Sequence, residues 1–253
     1  MTTLELAVVV TAGFLSGVIK NGVGVGSGVF LLPTLALVFP AKHALALGAP
    51  LLLASDLIGL RYYWKEWMER SKLVRLLLAA LPGAIVGTVL VTSIPANKFK
   101  FGVGLFGSFY ALFQLFPHFV PFVLFKQQFI RATSFFADKQ VYFYGALGGM
   151  VSVIAHAGGL IWSIYLMSTI RDKRIFVGST VIIFFLSDAY KTIAFLYIGV
   201  LSPDFLIAIL PAIPAVWLGS AIGNLSNKRM RDAVFRTLVL AVILLVSLHL
   251  CFY

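Results

Sequence analysis

Apolar residues fill this chain in long blocks, and polar residues are largely confined to short stretches between them. A helix needs about 20 apolar residues to cross a hydrocarbon core. On that criterion the blocks predict segments over 4–20, 23–39, 44–62, 76–94 and 99–117, then over 140–155, 158–170, 175–199, 205–224 and 233–252. The first, second and seventh are interrupted or short and read as half-helices. Backbone inside a bilayer must satisfy its own hydrogen bonds, so the pattern predicts an all-α polytopic membrane protein with broken or re-entrant helical hairpins. The connections are too short to form a separate globular unit, and 1–253 reads as one membrane domain.

The pattern also repeats. At a fixed offset of 132 residues Gly13 matches Gly145, Gly17 matches Gly149 and Gly26 matches Gly158. The pair Ser55 and Asp56 matches Ser187 and Asp188, Pro82 matches Pro214, and Gly87 matches Gly219. Glycine matches arise by chance in a chain with 22 glycines, but the Ser-Asp and Pro-x4-Gly matches are harder to obtain that way. The repeat predicts one unit over about 1–120, a connector over about 118–139 and a second unit over about 140–253. Each unit holds about five helical segments. An odd number inverts the second copy relative to the first, the architecture of many secondary transporters, which bind substrate between the copies.

Composition then fixes the class. Hydrophobic residues make up 60% and charged residues 11%, against about 25% charged in a soluble domain. The formal net charge of +11 would suit nucleic acid, but the charges sit between spans and instead report topology. Arg61, Lys65, Arg70, Lys72 and Arg75, then Lys126, Arg131 and Lys139, then Arg171, Lys173 and Arg174, and finally Lys228, Arg229, Arg231 and Arg236 mark one side as cytoplasmic. Only Lys42, Lys98 and Lys100 fall on the other side. Both termini are therefore expected outside a cell inner or plasma membrane. The basic face is expected to attract anionic lipid headgroups, and nucleic-acid binding is not expected. Cys251 has no cysteine partner, so neither an internal disulfide nor a thiolate metal site can form. The N-terminus has no basic leader and reads as a retained first helix.

Within this apolar chain the stretch KNGVGVGSG, Lys20 to Gly28, breaks a hydrophobic run in its middle. At about 1.5 Å of rise per residue a helix entering near Leu6 brings Lys20 close to mid-depth. There the helix is expected to stop. Gly22, Gly24, Gly26 and Gly28 allow left-handed backbone and close approach to a ligand, with Lys20, Asn21 and Ser27 beside them. The next helix is expected to start around Ser27, with unpaired amides and the positive end of its dipole available to an anion. In the second unit the matching turn is AHAGG, Ala155 to Gly159, with His156, Ala157, Gly158 and Gly159 as the candidate site residues. The same glycines also suit close helix packing. Lys20 is costly inside a bilayer unless it faces a cavity or a partner, although a lysine ending a full span can snorkel to an interface. His156 is read either as a packed histidine or as a proton carrier coupled to the substrate. Asp188 and Lys191, three apart on one helix, share a face and can pair. That pair is read as structural or as a coupling and gating element, with Asp56 its counterpart and Arg61 the cation within reach. No HExxH, GxSxG or paired acidic ligand set appears, so neither an enzyme nor a cofactor or metal is expected.

These motifs resemble a known family. SGVIKNGVGVGSGVFLLPTLAL resembles the first signature of the TauE/SafE sulfite-exporter family, and AHAGGLIWSIYLM resembles its second. The likeness extends to ILPAIPAVWLGSAIG and NKRMRDAVFR near the end, with departures at Ser27 and Leu160. The resemblance implies a secondary transporter exporting a small sulfur-containing anion such as sulfite, thiosulfate or a sulfonate like sulfoacetate. An anion channel, or an inward transporter of a small carboxylate, would use the same site.

Overall fold

The computed structural model describes residues 1–23, 26–115, 139–226 and 232–252, and every element among them is helical. Helix α1 spans Thr3–Val23, α2 Ser27–Leu35, α3 Ala41–Tyr62, α4 Arg70–Ser93 and α5 Ala96–Leu115. Then follow α6 over Gln140–Ala155, α7 over Gly158–Thr169 and α8 over Lys173–Tyr197. Helix α9, Pro203–Ile209, runs through a 3-10 turn into α10, Ile213–Ser226, and α11 covers Asp232–Phe252. Most of connector 118–139, with Lys126 and Arg131, lies outside the described residues, as do Lys228, Arg229 and Arg231.

Among the described residues five stretches are long and apolar enough to cross a membrane: Thr3–Asn21, Ala41–Tyr62, Arg70–Ser93, Arg174–Tyr197 and Pro203–Leu225. Helix α1 is among them, so it is not the half-helix its glycine-rich end suggests. It runs through Lys20 and ends at Val23. Helices α2 and α7, with 9 and 12 residues, are too short to span on their own. Helix α4 begins six residues ahead of its apolar block, because the basic stretch from Arg70 is a good helix former and winds into the same helix. At the other end of α7, Asp172 caps α8 by accepting hydrogen bonds from the amides of Arg174 and Ile175 at 2.8 and 2.9 Å.

Helix order in the second half follows that in the first at the same offset: α6 and α7 take the places of α1 and α2, α8 that of α3, α9 with α10 that of α4, and α11 that of α5. The packing is crossed. Helix α1 lies chiefly against α10, and α4 against α6, while α5 pairs with α11 and α3 with α8. The repeated glycines serve these crossings. A Cβ on Gly17 would fall 2.5 Å from the Val216 carbonyl oxygen, and one on Gly219 would fall 2.0 Å from that of Phe14, so α1 and α10 meet backbone to backbone. In the α4–α6 crossing Gly149 lies against the Ala80 carbonyl and Gly83 against that of Ala146. Small residues let helices approach this closely where apolar side chains gain nothing over lipid.

Among these long helices α3 is the most buried, with one face of α8 packed along it. Residues Ala44 to Leu52 of α3 are almost wholly buried and pack with Leu31, Leu35, Phe195 and Val216. The short helices α2 and α7 reach the same region from their broken ends.

Candidate functional site

The two breaks in the backbone frame the candidate site. Between α1 and α2 the chain turns at Gly26, with φ +99°, a left-handed conformation that suits glycine. Between α6 and α7 it turns at His156, which takes the left-handed region with φ 51°. Histidine is one of the few side-chain-bearing residues enriched there. The His156 amide closes α6 by donating to the Ser152 carbonyl at 3.0 Å. Helices α2 and α7 then start at Ser27 and Gly158, and no side chain caps either start. The breaks touch: a Cβ on Gly28 would lie 2.4 Å from the His156 carbonyl oxygen. The starts of α2 and α7 thus lie side by side at their tips.

Five titratable side chains from three helices and one turn converge beside these tips, each at most 8% exposed. The Lys20 ammonium, from the last turn of α1, sits 2.7 Å from Asp56 Oδ1 on α3 and 3.2 Å from Asp188 Oδ2 on α8. It also donates to the Leu52 carbonyl at 3.3 Å and stands 5.1 Å from the centre of the Phe184 ring. Asp188 Oδ1 is 2.5 Å from the Lys191 ammonium, the i,i+3 pair legible in the sequence. Lys191 continues to His156 Nδ1 at 2.7 Å and to the Ser152 carbonyl at 3.4 Å. The result is one buried chain, Asp56 to Lys20 to Asp188 to Lys191 to His156. Two ammoniums face two carboxylates, and the desolvation of each charge is offset only through its partners.

The histidine closes that chain in a defined form. An ammonium has no acceptor, so Lys191 must donate to Nδ1. The Leu45 carbonyl has no donor, so Nε2 must carry a hydrogen toward it, at 2.9 Å. His156 is therefore the neutral Nε2–H tautomer and brings no positive charge. Gly48 makes room for the ring: a Cβ there would lie 2.7 Å from Nε2.

A cavity about the size of one water separates these groups. Lys20, Gly26, Ser27, Gly28, His156, Ala157, Gly159, Asp188 and Lys191 line it, together with Leu52, Ser152 and Phe184. Other expected residues stand apart. Asn21 turns away, donating to the Gly17 carbonyl and to Ser55 Oγ at 3.3 and 3.1 Å. Gly22 lies in the last turn of α1. Gly24 is outside the described residues. Gly158 is wedged against the Gly148 carbonyl. Arg61, expected to reach Asp56, is exposed at the end of α3, and Lys20 takes that place.

Several contributors escaped the sequence reading. Ser55 Oγ lies 3.0 Å from Ser220 Oγ, and Ser152 Oγ lies 2.9 Å from Ser187 Oγ, so both repeated serines sit in hydroxyl pairs beside the aspartates. Ser152 stands at the repeat equivalent of Lys20, a signal the offset contained. The carbonyls of Leu45 and Leu52 left no trace in the sequence, because any residue supplies one.

Compared with known proteins, the chain matches the family described as Sulfite exporter TauE/SafE over residues 9–250, which includes every residue of the site. No curated protein and no solved structure matches it.

Proposed function

Because the chain belongs to the Sulfite exporter TauE/SafE family of membrane transporters, we propose that it exports a small sulfur-containing anion, sulfite, thiosulfate or a sulfonate such as sulfoacetate, by alternating access at the cavity between α2 and α7. The observation that carries this reading is the meeting of two uncapped helix starts beside two buried ammoniums in one cavity. Backbone amides at helix starts and the positive dipole ends attract anions without a dedicated side chain. Lysine adds a point charge with three donors. The cavity now holds no more than a water, so an oxyanion enters only when the tips move apart. That favours a carrier, which closes around its substrate, over a channel, which needs a continuous path.

The crossed helix pairs support two inverted units, α1 to α5 and α6 to α11, that rock against one another. The charges support the orientation. Arg174 at the start of α8 pairs with Glu66 in the α3–α4 connection, which places two basic turns on one face, while Lys42 at the other end of α3 donates to the Thr92 carbonyl. With the basic face cytoplasmic, an inside-negative potential expels anions by about 2.3 kcal/mol per net charge per 100 mV. No ATP is required.

Thermal unfolding of the purified protein in detergent, scanned with sulfite, thiosulfate, sulfoacetate, sulfate, simple carboxylates and chloride at equal ionic strength, tests the substrate class. A site-bound anion at 100 times its Kd adds about 2.7 kcal/mol to the native state. The expected result is stabilisation by one or more sulfur oxyanions beyond that by chloride or acetate. A uniform response to every salt would remove the anion site.

A further inference from the structure

We propose that Asp56 is the proton site of transport: it takes up one proton when the anion binds and releases it when the anion leaves. The inference rests on the anion site proposed above, and it follows from how the two carboxylates are partnered. Asp188 is held by two ammoniums, Lys20 at 3.2 Å and Lys191 at 2.5 Å. Asp56 has Lys20 alone, at 2.7 Å. Apart from that ion pair no donor reaches either oxygen of Asp56, which lies beside the Asp188 carboxylate, and the residue is 1% exposed. Ser55 beside it is committed to Asn21 and Ser220.

An anion entering the cavity competes for Lys20, which lines it; Asp56 does not line it. When Lys20 turns to the anion, Asp188 keeps Lys191. Asp56 keeps no cation and is left facing the Asp188 carboxylate. A buried carboxylate without a cation or a hydrogen bond is unfavourable enough that it neutralises instead. The charges that act on Asp56 are those of Lys20 from α1 and Asp188 from α8. The other titratable groups of the cluster are Lys191 on α8 and His156 in the turn after α6, while α2 and α10 carry none. His156 does not compete for the proton: Nε2 already carries its hydrogen toward the Leu45 carbonyl, and a proton on Nδ1 would point at the Lys191 ammonium.

The balance closes. At rest two ammoniums, two carboxylates and a neutral imidazole sum to zero charge. A monoanion with one proton on Asp56, taken from solvent, leaves the sum at zero. Transport of a monoanion is then electroneutral, whereas a dianion such as thiosulfate still carries one net negative charge, and the membrane potential still drives its export.

The test is calorimetric titration of the detergent-solubilised protein with thiosulfate and with methanesulfonate, in buffers of different ionisation enthalpy across a range of pH. Both probes are anions of strong acids, so any proton exchanged belongs to the protein. The expected result is close to one proton taken up per anion, with affinity falling about tenfold per pH unit as pH rises. In Asp56→Asn the proton count is expected to fall to zero and the remaining binding to become independent of pH. Wild-type binding without proton uptake overturns the inference and leaves the anion site standing. Proton uptake that persists in Asp56→Asn, or that disappears in Asp188→Asn instead, overturns the assignment to Asp56. If neither probe binds while the thermal scan shows no anion response, the anion site fails and the inference with it. The wild-type slope decides the coupling even if Asp56→Asn does not fold.

Discussion

Replacing Lys20 by methionine is expected to cost about 3–5 kcal/mol of stability, as well as abolishing transport, because one ammonium serves two carboxylates that are 1 and 3% exposed. The sequence alone suggests a different outcome, in which Lys20→Met weakens transport far more than folding, since a lysine facing an empty anion site has no structural duty. The structure gives it that duty. Without Lys20, Asp188 retains Lys191, but Asp56 loses its cation and either stays charged or takes up a proton, and both cost stability at neutral pH. The double substitution Lys20→Met with Asp56→Asn removes the stranded charge and should recover most of the loss. Residues in one such network typically couple by about 0.5–3 kcal/mol. Chemical denaturation in detergent of the wild type, both single variants and the double variant measures this directly. If Lys20→Met unfolds like the wild type, Lys20 does not hold Asp56 in the folded protein. If the double variant is no more stable than Lys20→Met, the loss comes from packing around Phe184 and Leu52 and not from the ion pair.

The helical framework was legible because its signals are local. Apolar blocks placed the helices to within a few residues, and the offset between Gly13 and Gly145 anticipated the helix order of the second half. Where local signals compete, the sequence was ambiguous. The glycine run from Gly22 to Gly28 could end a helix or pack one, and the structure assigns the roles to different glycines. Gly26 and Gly28 form the broken tip, while Gly13, Gly17, Gly145 and Gly149 are packed against neighbouring helices. The site was half legible for the same reason. Asp188 and Lys191 share a helix face, and their pairing follows from spacing. Lys20 meets Asp56 and Asp188 from 36 and 168 residues away, and nothing in the neighbourhood of any of them specifies that meeting. Arg61 seemed the cation for Asp56 because it is near in sequence, yet five residues along a helix carry it away from that side chain, into an exposed position. The neutral state of His156 depends on a carbonyl of α3 and an ammonium of α8, so only the assembled fold could fix it.

Gly28→Ala is expected to be the most damaging single-methyl substitution at the site, and Gly102→Ala the harmless control. The methyl on Gly28 would stand 2.4 Å from the His156 carbonyl oxygen and 2.5 Å from its Cβ. The first is a backbone atom and cannot swing aside. Overfilling a packed region costs about 1–3 kcal/mol, but here the strain falls on a residue held at φ 51° whose ring joins Lys191 to the Leu45 carbonyl. Moving His156 to admit the methyl separates the two helix starts and pulls on the buried ion chain together. At Gly102, within α5, the added methyl would meet nothing within 4 Å, and alanine gains about 0.5–1 kcal/mol over glycine in a helix. Thermal unfolding and anion flux in reconstituted vesicles separate the consequences. Gly28→Ala should unfold earlier and lose most of its flux, while Gly102→Ala should unfold at or above the wild-type temperature with flux intact. Wild-type flux in Gly28→Ala would mean that the tips are apart for most of the transport cycle and that their contact is not part of the anion site. Loss of flux at wild-type stability would carry the opposite meaning: the tips bear little of the fold's stability, and their close approach is needed to bind the anion.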